Sequence, residues 1–539
     1  MKPGALARIL PDIIPALLCL CLGGASFFLA NGLIGTAEDY RSPLAESPPT
    51  SLSGQAPRVY EPIGAPPGRL VWILVDALSY DTAMDAALMP ELARLRGRGA
   101  WAMAMADAPT YSQTTWGVLL TGAGPGIADA PLMNVDPEDL RPMSQENIFG
   151  MAKASGLVTG IAGFHWFATM VPEAHVDFGA YTEGEDDEAD QSILEPALAW
   201  IEGEAADFIL IHLDQVDWAG HHSGAGSREW DDAAARADAI IARVASALDL
   251  SSDTLVVCSD HGQIRAGGHG GPDPECRRTP LLIVGARVTP GQYGDVRQVD
   301  FAPTIAALLG MGAPASAEGR PLLEMLNLPA EDRASLSALK AIQSDALEKA
   351  LPAPAPRMRT ALIRGLKTAI AAIILIAPLA AFLIIKRKDR GARAAAYACA
   401  ASALGAALIF HLLYAFALDL AYSISWVRSA ADLILRGAGL GALCALMAGL
   451  IGAVSAAREG LPRASIIGRA GSHVMAAAWA GLGPYAAYLA WHGPGVPYPL
   501  PDMGFWFMAV LSGVHAMGAG ASILILLPLA FLIRRRALK

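Results

Sequence analysis

The chain has 539 residues, 53% of them hydrophobic and 17% charged, with a mean hydropathy of +0.38. Soluble domains carry about 25% charged residues, so a wholly soluble protein is excluded, and six cysteines are too few for a disulfide scaffold. The formal net charge of −11 divides unevenly: residues 36–360 hold 45 acidic and 22 basic side chains, the remainder 6 and 18, and so acidic a soluble part excludes a nucleic-acid polymer as partner.

Residues 9–34 form an apolar run broken only by Asp12. The run exceeds the roughly 20 residues that cross a bilayer and the about 7–15 apolar residues of a signal peptide, so residues 1–35 read as an uncleaved anchor. Residues 42–68 are rich in Pro, Ser and Gly, which makes 36–68 a linker. A folded domain is placed at 69–350. A Pro-Ala-Pro-Ala-Pro spacer at 352–356 marks a second linker, 351–365.

Within 69–350, short aliphatic runs alternate with helical patterns, which predicts an α/β domain with a mostly parallel central sheet flanked by helices. Strands are predicted at 70–75, 208–213, 254–258 and 281–284. A helix over 228–248 places Ile240, Val244 and Leu248 on one face. The acidic run 183–190 reads as a solvated loop or helix start. Open α/β sheets bind ligands beyond the carboxyl ends of their strands. Here Asp76 follows the first predicted strand, Asp217 the second, and Asp260 with His261 the third.

The stretch Asp217-Trp-Ala-Gly-His221 sets a carboxylate and an imidazole four residues apart, and His269 stands among Gly267, Gly268, Gly270 and Gly271. Imidazoles and carboxylates without a thiolate pair suit zinc or manganese in a hydrolytic site. Thr110, Ser112, Thr114 and Thr115 lie ahead of an apolar helix-like stretch. A hydroxyl held by a metal loses its proton readily and becomes a nucleophile, whereas the same residue types also serve as helix caps.

Beyond Gly365, apolar runs at 366–385, 394–418, 437–456, 473–492 and 504–533 predict five spans in a C-terminal domain, 366–539, and six with the anchor. Basic clusters at 386–393, 458–469 and 534–539 alternate with loops at 419–436 and 493–503 that carry only Arg428 and Arg436. Basic loops stay cytoplasmic, so both termini are expected inside and residues 36–365 outside, in a multi-pass plasma-membrane protein.

Together these motifs resemble the alkaline phosphatase superfamily, above all its type I phosphodiesterase/nucleotide pyrophosphatase branch and the ethanolamine-phosphate transferases of GPI-anchor synthesis. The resemblance covers roughly residues 69–312 and leaves out the membrane part. It implies a nucleophile ten residues before the Gly of a Thr-Gly pair. Counting back from Gly122 gives Ser112, where these branches usually have Thr. It implies two divalent ions, zinc first and manganese second, one held by Asp217, His221 and His269 and the other by Asp76, Ser112, Asp260 and His261. It further implies an Asn134 contact to a phosphate oxygen. Asp300-Phe-Ala-Pro-Thr304 resembles a recurrent helix start of the superfamily. Sulfatases share the implied fold but need a Cys/Ser-x-Pro-x-Arg motif, and Ser112 is followed by Gln-Thr-Thr-Trp. The implied activity is phosphoester hydrolysis or phosphoryl transfer through a phosphoserine, with a phosphoester substrate that is lipid-linked if the spans present it. A transporter or membrane assembly protein with a binding-only domain is the alternative. The complete ligand set and the lack of charges deep within the spans speak against it.

Overall fold

The structure is a computed structural model that describes residues 3–49, 68–352, 388–417 and 421–526, with scattered positions between 362 and 384 and residue 528. It divides into two compact units. One comprises Met1–Thr36, Pro354–Ser423 and Val427–Lys539; the other comprises Ala37–Ala353 and Ile424–Trp426.

The second unit is built on a nine-stranded sheet. Its strands are β1 Leu70–Val75, β2 Ala100–Met105, β3 Thr159–Phe164, β4 Phe178–Thr182, β5 Phe208–Leu213, β6 Thr254–Cys258, β7 Arg278–Gly285, β8 Gly291–Gln292 and β9 Val296–Arg297. The spatial order is β4-β3-β5-β1-β6-β7-β2-β8, with β9 also on β2. β1 lies between β5 and β6, parallel to both, in register Leu74 with His212 and Leu74 with Cys258. Central parallel strands are covered on both faces, which is why LVWILV and FILIHL are continuous apolar runs rather than alternating ones. Leu70, Trp72 and Leu74 enter one core layer, with Phe208 and Leu210; Val71, Ile73 and Val75 enter the other, with Ile209 and Ile211.

The sheet is mixed, which corrects the mostly parallel expectation. β7 runs antiparallel to both β6 and β2. A parallel return from β6 would need a crossover helix. The segment after Cys258 is instead loop, with only a four-residue helix, Pro274–Arg277, before β7. The predicted helix appears as Arg228–Ser246, capped by the Ser227 side chain accepting from the Trp230 N–H, with Ile240 and Val244 buried. The acidic run leads into the helix Asp187–Glu202, where Asp186 accepts from the Ala189 N–H. Tyr40, Arg41 and Ser42 are tied to the same unit: Tyr40 donates to Gly126 O, Arg41 pairs with Asp129, and Ser42 N–H donates to Asp129. Residues 50–67, the rest of the expected linker, lie outside the described residues.

The other unit is helical. Four helical segments among the described residues are long and apolar enough to cross a membrane: Ala16–Glu38, Arg390–Phe416, Ala430–Arg458 and Met503–Leu526. The chain is thus a multi-pass membrane protein with a large extramembranous domain, and the expectation of six spans is corrected to four among the described residues. The predicted span 473–492 is two helices, Arg463–Gly481 and Gly483–His492, meeting at Leu482. Pro484 explains the break, since proline donates no hydrogen bond within a helix and starts the second one. The predicted span 366–385 falls largely outside the described residues.

Candidate metal centre

Three chain segments bring carboxylates to the carboxyl ends of the central strands. Asp76 follows β1, its N–H donating to Leu213 O, and it is 1% exposed. Ala77 after it adopts a positive φ of 58°, a strained backbone for a residue with a Cβ. The turn aims the Ala77 N–H at Asp260 Oδ1, 3.2 Å away. Asp217 and His221 stand one turn apart on the helix Gln215–Ser223, with Asp217 Oδ2 3.2 Å from His221 Nε2. Asp260 and His261 follow β6.

Three imidazoles converge with these carboxylates. His221 Nδ1 lies 3.2 Å from Gly267 O, His261 Nδ1 3.2 Å from Gly262 O, and His269 Nδ1 3.0 Å from Thr110 O. A carbonyl only accepts, so each Nδ1 carries a proton, which leaves Nε2 of the neutral His261 and His269 rings as lone-pair atoms facing the centre, while His221 Nε2 faces Asp217 Oδ2. Nε2 of His221 is 3.0 Å from Nε2 of His269, and His269 Nε2 is 3.7 Å from Asp217 Oδ1. Two ligand groups result, Asp76–Asp260–His261 and Asp217–His261–His269, each with ligand atoms within 4.8 Å of one another. His261 is common to both.

The site suits cations on its own evidence. Asp76 Oδ1 is buried with no hydrogen-bond partner among the described residues. No Lys or Arg pairs with Asp76, Asp217 or Asp260 among the described residues, and Nε2 of His221 and of His269 converge on the same carboxylate. Burial pushes the Asp76 carboxyl well above its ordinary range, reinforced by Asp260 and Asp217. Burial raises Asp260 to about 7. It lowers His261 to about 4 and His269 to about 3, so both imidazoles are neutral ligands. The Asp217 carboxylate raises His221 to about 9. Burial favours the neutral form of Asp217, but His221 and His269 outweigh it and hold its carboxyl below the usual range. Buried carboxylates and bare imidazole nitrogens in this density fit divalent ions.

Ser112 opens the helix Ser112–Thr121, whose end is Gly122 at φ 70°. The left-handed cap favours glycine, which gives the spacing from Ser112 to Gly122 its physical meaning: one ten-residue helix and its cap. Ser112 Oγ lies 3.2 Å from His261 Nε2. The other hydroxyls are engaged elsewhere. Thr110 donates to Gly271 O, Thr114 to Pro131 O, and Thr115 to Tyr111 O, with Thr115 also 3.3 Å from Asp260 Oδ2. Asn134 is brought next to Ser112, its Oδ1 accepting from the Gln113 N–H at 3.1 Å. Asp300 and Thr304 bound a buried helix start, Thr304 donating to Asp300 O at 2.6 Å.

Sequence reasoning missed Trp116 and His212. Trp116 stands one helical turn after Ser112. Its Nε1–H donates to Asp260 Oδ2 at 2.9 Å, and its ring stacks on Phe167 at 4.2 Å. His212 meets the edge of Trp116 at 4.7 Å and lies with Nε2 3.0 Å from Asp76 Oδ2. Burial lowers His212 to about 3, so the ring is neutral and shares a hydrogen bond with Asp76 through Nε2. The available signal was a histidine inside the apolar run FILIHL. Asp214 forms a third buried acid–imidazole group with Asp76 and His212. His222 stacks on Trp218, and His165 packs on Phe164; neither joins the ligand groups.

Residues 155–269 match the family model of type I phosphodiesterase/nucleotide pyrophosphatase. The human GPI ethanolamine phosphate transferase 2 catalytic subunit is 25% identical over 332 residues, covering 56% of this chain and 33% of the human protein. The Aspergillus fumigatus GPI ethanolamine phosphate transferase 2 is 24% identical, covering 52% and 39%. The chain thus spans about a third of the length of these curated relatives. Among solved structures, human ectonucleotide pyrophosphatase/phosphodiesterase 5 aligns at 13% identity and a TM-score of 0.41, over 48% of this chain and all of that one.

Asp217, His221, Asp260, His261 and His269 of the metal centre all lie within residues 155–269, the part of the chain that matches the phosphodiesterase family model, and the same chain carries helices long and apolar enough to cross a membrane. In this region the chain is similar to type I phosphodiesterases/nucleotide pyrophosphatases and to the GPI ethanolamine phosphate transferases.

Proposed function

We propose that the protein is a two-metal phosphoester hydrolase or phosphotransferase that uses Ser112 as nucleophile. The observation that carries this reading is Ser112 Oγ at 3.2 Å from Nε2 of His261, the histidine common to both ligand groups. Asp217, His221 and His269 would hold one ion, and Asp76, Ser112, Asp260 and His261 the other. Zinc fits the mixture of imidazole and carboxylate best, with manganese second. Two such ions would supply the positive charge that activates the serine hydroxyl and neutralises phosphate oxygens.

The chain's own residues do the rest. Tyr111 takes the extended N-cap position, so Ser112 begins the helix with its hydroxyl free of any capping role. Ser112 Oγ bonds to phosphorus while the bond to the leaving alcohol breaks. Water or an acceptor alcohol then displaces the serine and restores its hydroxyl. Asn134, whose Oδ1 accepts from the Gln113 N–H beside Ser112, would offer its amide N–H to a phosphate oxygen. The long apolar helices favour a lipid-linked phosphoester presented at the membrane. Lys2 and Arg8 before the first span, and the basic cluster 386–393, favour a catalytic unit on the extracytoplasmic side. The domain boundaries 69–350 and 366–539 are part of the same proposal. Turnover of p-nitrophenyl mono- and diesters by the purified full-length protein, before and after chelation, tests the reading. Failure of metal-loaded protein to cleave either ester or to form phosphoserine overturns it.

A further inference from the structure

The compact unit that holds the metal centre takes in three residues from far along the chain, Ile424–Trp426. In sequence they lie between the apolar segments Arg390–Phe416 and Ala430–Arg458. Ser425 is 1% exposed, and its Oγ accepts from the Gly271 N–H at 2.8 Å. The Cys276 thiol lies 3.5 Å from the same oxygen and 3.7 Å from Gly268 O. Trp426 donates through Nε1 to Asp273 Oδ1 at 3.4 Å. A side chain on Gly268 would run into the carbonyl oxygen of Ser425, so the two backbones are in direct contact. These contacts bracket one short loop, and that loop carries His269.

From its other side the loop is held by Thr110. Thr110 N–H donates to Gly270 O, Gly270 N–H donates to Thr110 Oγ1, and His269 Nδ1–H donates to Thr110 O. His269 thus sits on a glycine-rich strip clamped between the segment leading into Ser112 and the Ile424–Trp426 turn. Glycines at 267, 268, 270 and 271 bring no side-chain packing of their own, so the strip takes its position from these neighbours.

We infer that the Ile424–Trp426 turn is a positioning element of the metal centre, with Ser425 holding the His269 loop in the geometry that completes the Asp217–His221–His269 set. This rests on the two-metal reading above. Partners that orient metal ligands are worth about 10–100-fold in metal affinity. The Ser425 hydroxyl holds the loop at Gly271, two residues beyond His269, so removing it acts on the ion at Asp217, His221 and His269 before the other.

The test is zinc titration of metal-stripped, full-length protein, with ion number and affinity as readouts. Wild type should bind two ions, and His221→Ala marks which step belongs to the Asp217–His221–His269 set. Ser425→Ala should weaken that step at least tenfold and leave the other unchanged, and Ser425→Thr, which keeps the hydroxyl, should restore it. Trp426→Phe, which removes the donation to Asp273 Oδ1, should weaken the same step. Unchanged titration in both Ser425→Ala and Trp426→Phe overturns the assignment while leaving the two-metal reading intact. Loss of both ions with a lowered melting temperature overturns it too, since the turn would then support the whole fold. A wild-type protein that binds no zinc overturns both readings together.

Discussion

Trp116 donates its indole N–H to Asp260 across 2.9 Å, from the same helix face that begins with Ser112. One helix therefore supplies the hydroxyl and also orients a carboxylate of the metal centre. The Trp116 ring is wedged between Phe167 and His212, and His212 holds Asp76. Both carboxylates of the Asp76–Asp260–His261 group are thus set by one aromatic layer beneath them.

Trp116→Phe keeps the stacking on Phe167 and deletes only the N–H. A hydrogen bond to a charged group contributes about 1.5–3 kcal/mol, so affinity for the ion at Asp76, Asp260 and His261 should fall about 10–100-fold. Zinc titration checks this, and an unchanged isotherm would refute the role given to the indole.

Ser112→Ala should reduce turnover by at least about 10³-fold, because no other hydroxyl of the loop is free to replace it. The melting temperature should shift little, since Tyr111 rather than Ser112 occupies the N-cap. Ser112→Thr should retain measurable turnover. Near-normal rates in the alanine variant would move the nucleophile to Thr115 or to water.

Chelation should release about two ions per chain and lower thermal stability. Ions that bind only the folded state at 100 times their dissociation constant stabilise it by about 2.7 kcal/mol. Elemental analysis and melting curves before and after chelation measure both effects; one ion or none in active protein rejects the two-metal reading.

Asp190 offers a pH test apart from the ligands. Burial raises its carboxyl to about 7 from an ordinary 3.8, against hydrogen bonds from the Asp214 N–H and the Gln215 backbone and side chain. Between those values the folded state keeps a proton that the unfolded state has released. Its contribution to stability is therefore full below pH 3.8 and lost as the pH rises through 7, at up to about 1.4 kcal/mol per pH unit. Asp190→Asn should remove that component from the slope, measured as the difference between wild-type and variant melting temperatures over pH 4–7 in chelator.

Accessibility to membrane-impermeant reagents should separate the two sides. Tags within 386–393 should react only from the cytoplasm, and tags on the exposed face of 69–312 only from outside. A cytoplasmic catalytic unit would overturn the charge-bias argument.

Local chemistry was legible in the sequence because it obeys short periods. The buried strands β1, β5 and β6 appear as apolar runs of five or six residues, the Arg228–Ser246 helix as a repeating apolar face, and Asp217 with His221 as one helical turn. The distinction between membrane and soluble parts follows from hydropathy alone. What depends on contacts between distant residues was not legible. Thr110, Ser112, Thr114 and Thr115 are alike as hydroxyl residues, and only the resemblance, through the count back from Gly122, singled out Ser112; that its Oγ faces His261 depends on how this segment packs against residues 260–271. The reversed direction of β7 depends on a connection that loops back instead of crossing over, and the broken 473–492 span on where Pro484 falls in a helix. The Asp76–His212 and Trp116–Asp260 pairs and the Ser425 contact join residues 136, 144 and 154 positions apart. No repeat along the chain encodes such pairings; they exist only once the sheet has brought the ends of β1, β5 and β6 together and the loops have closed over them.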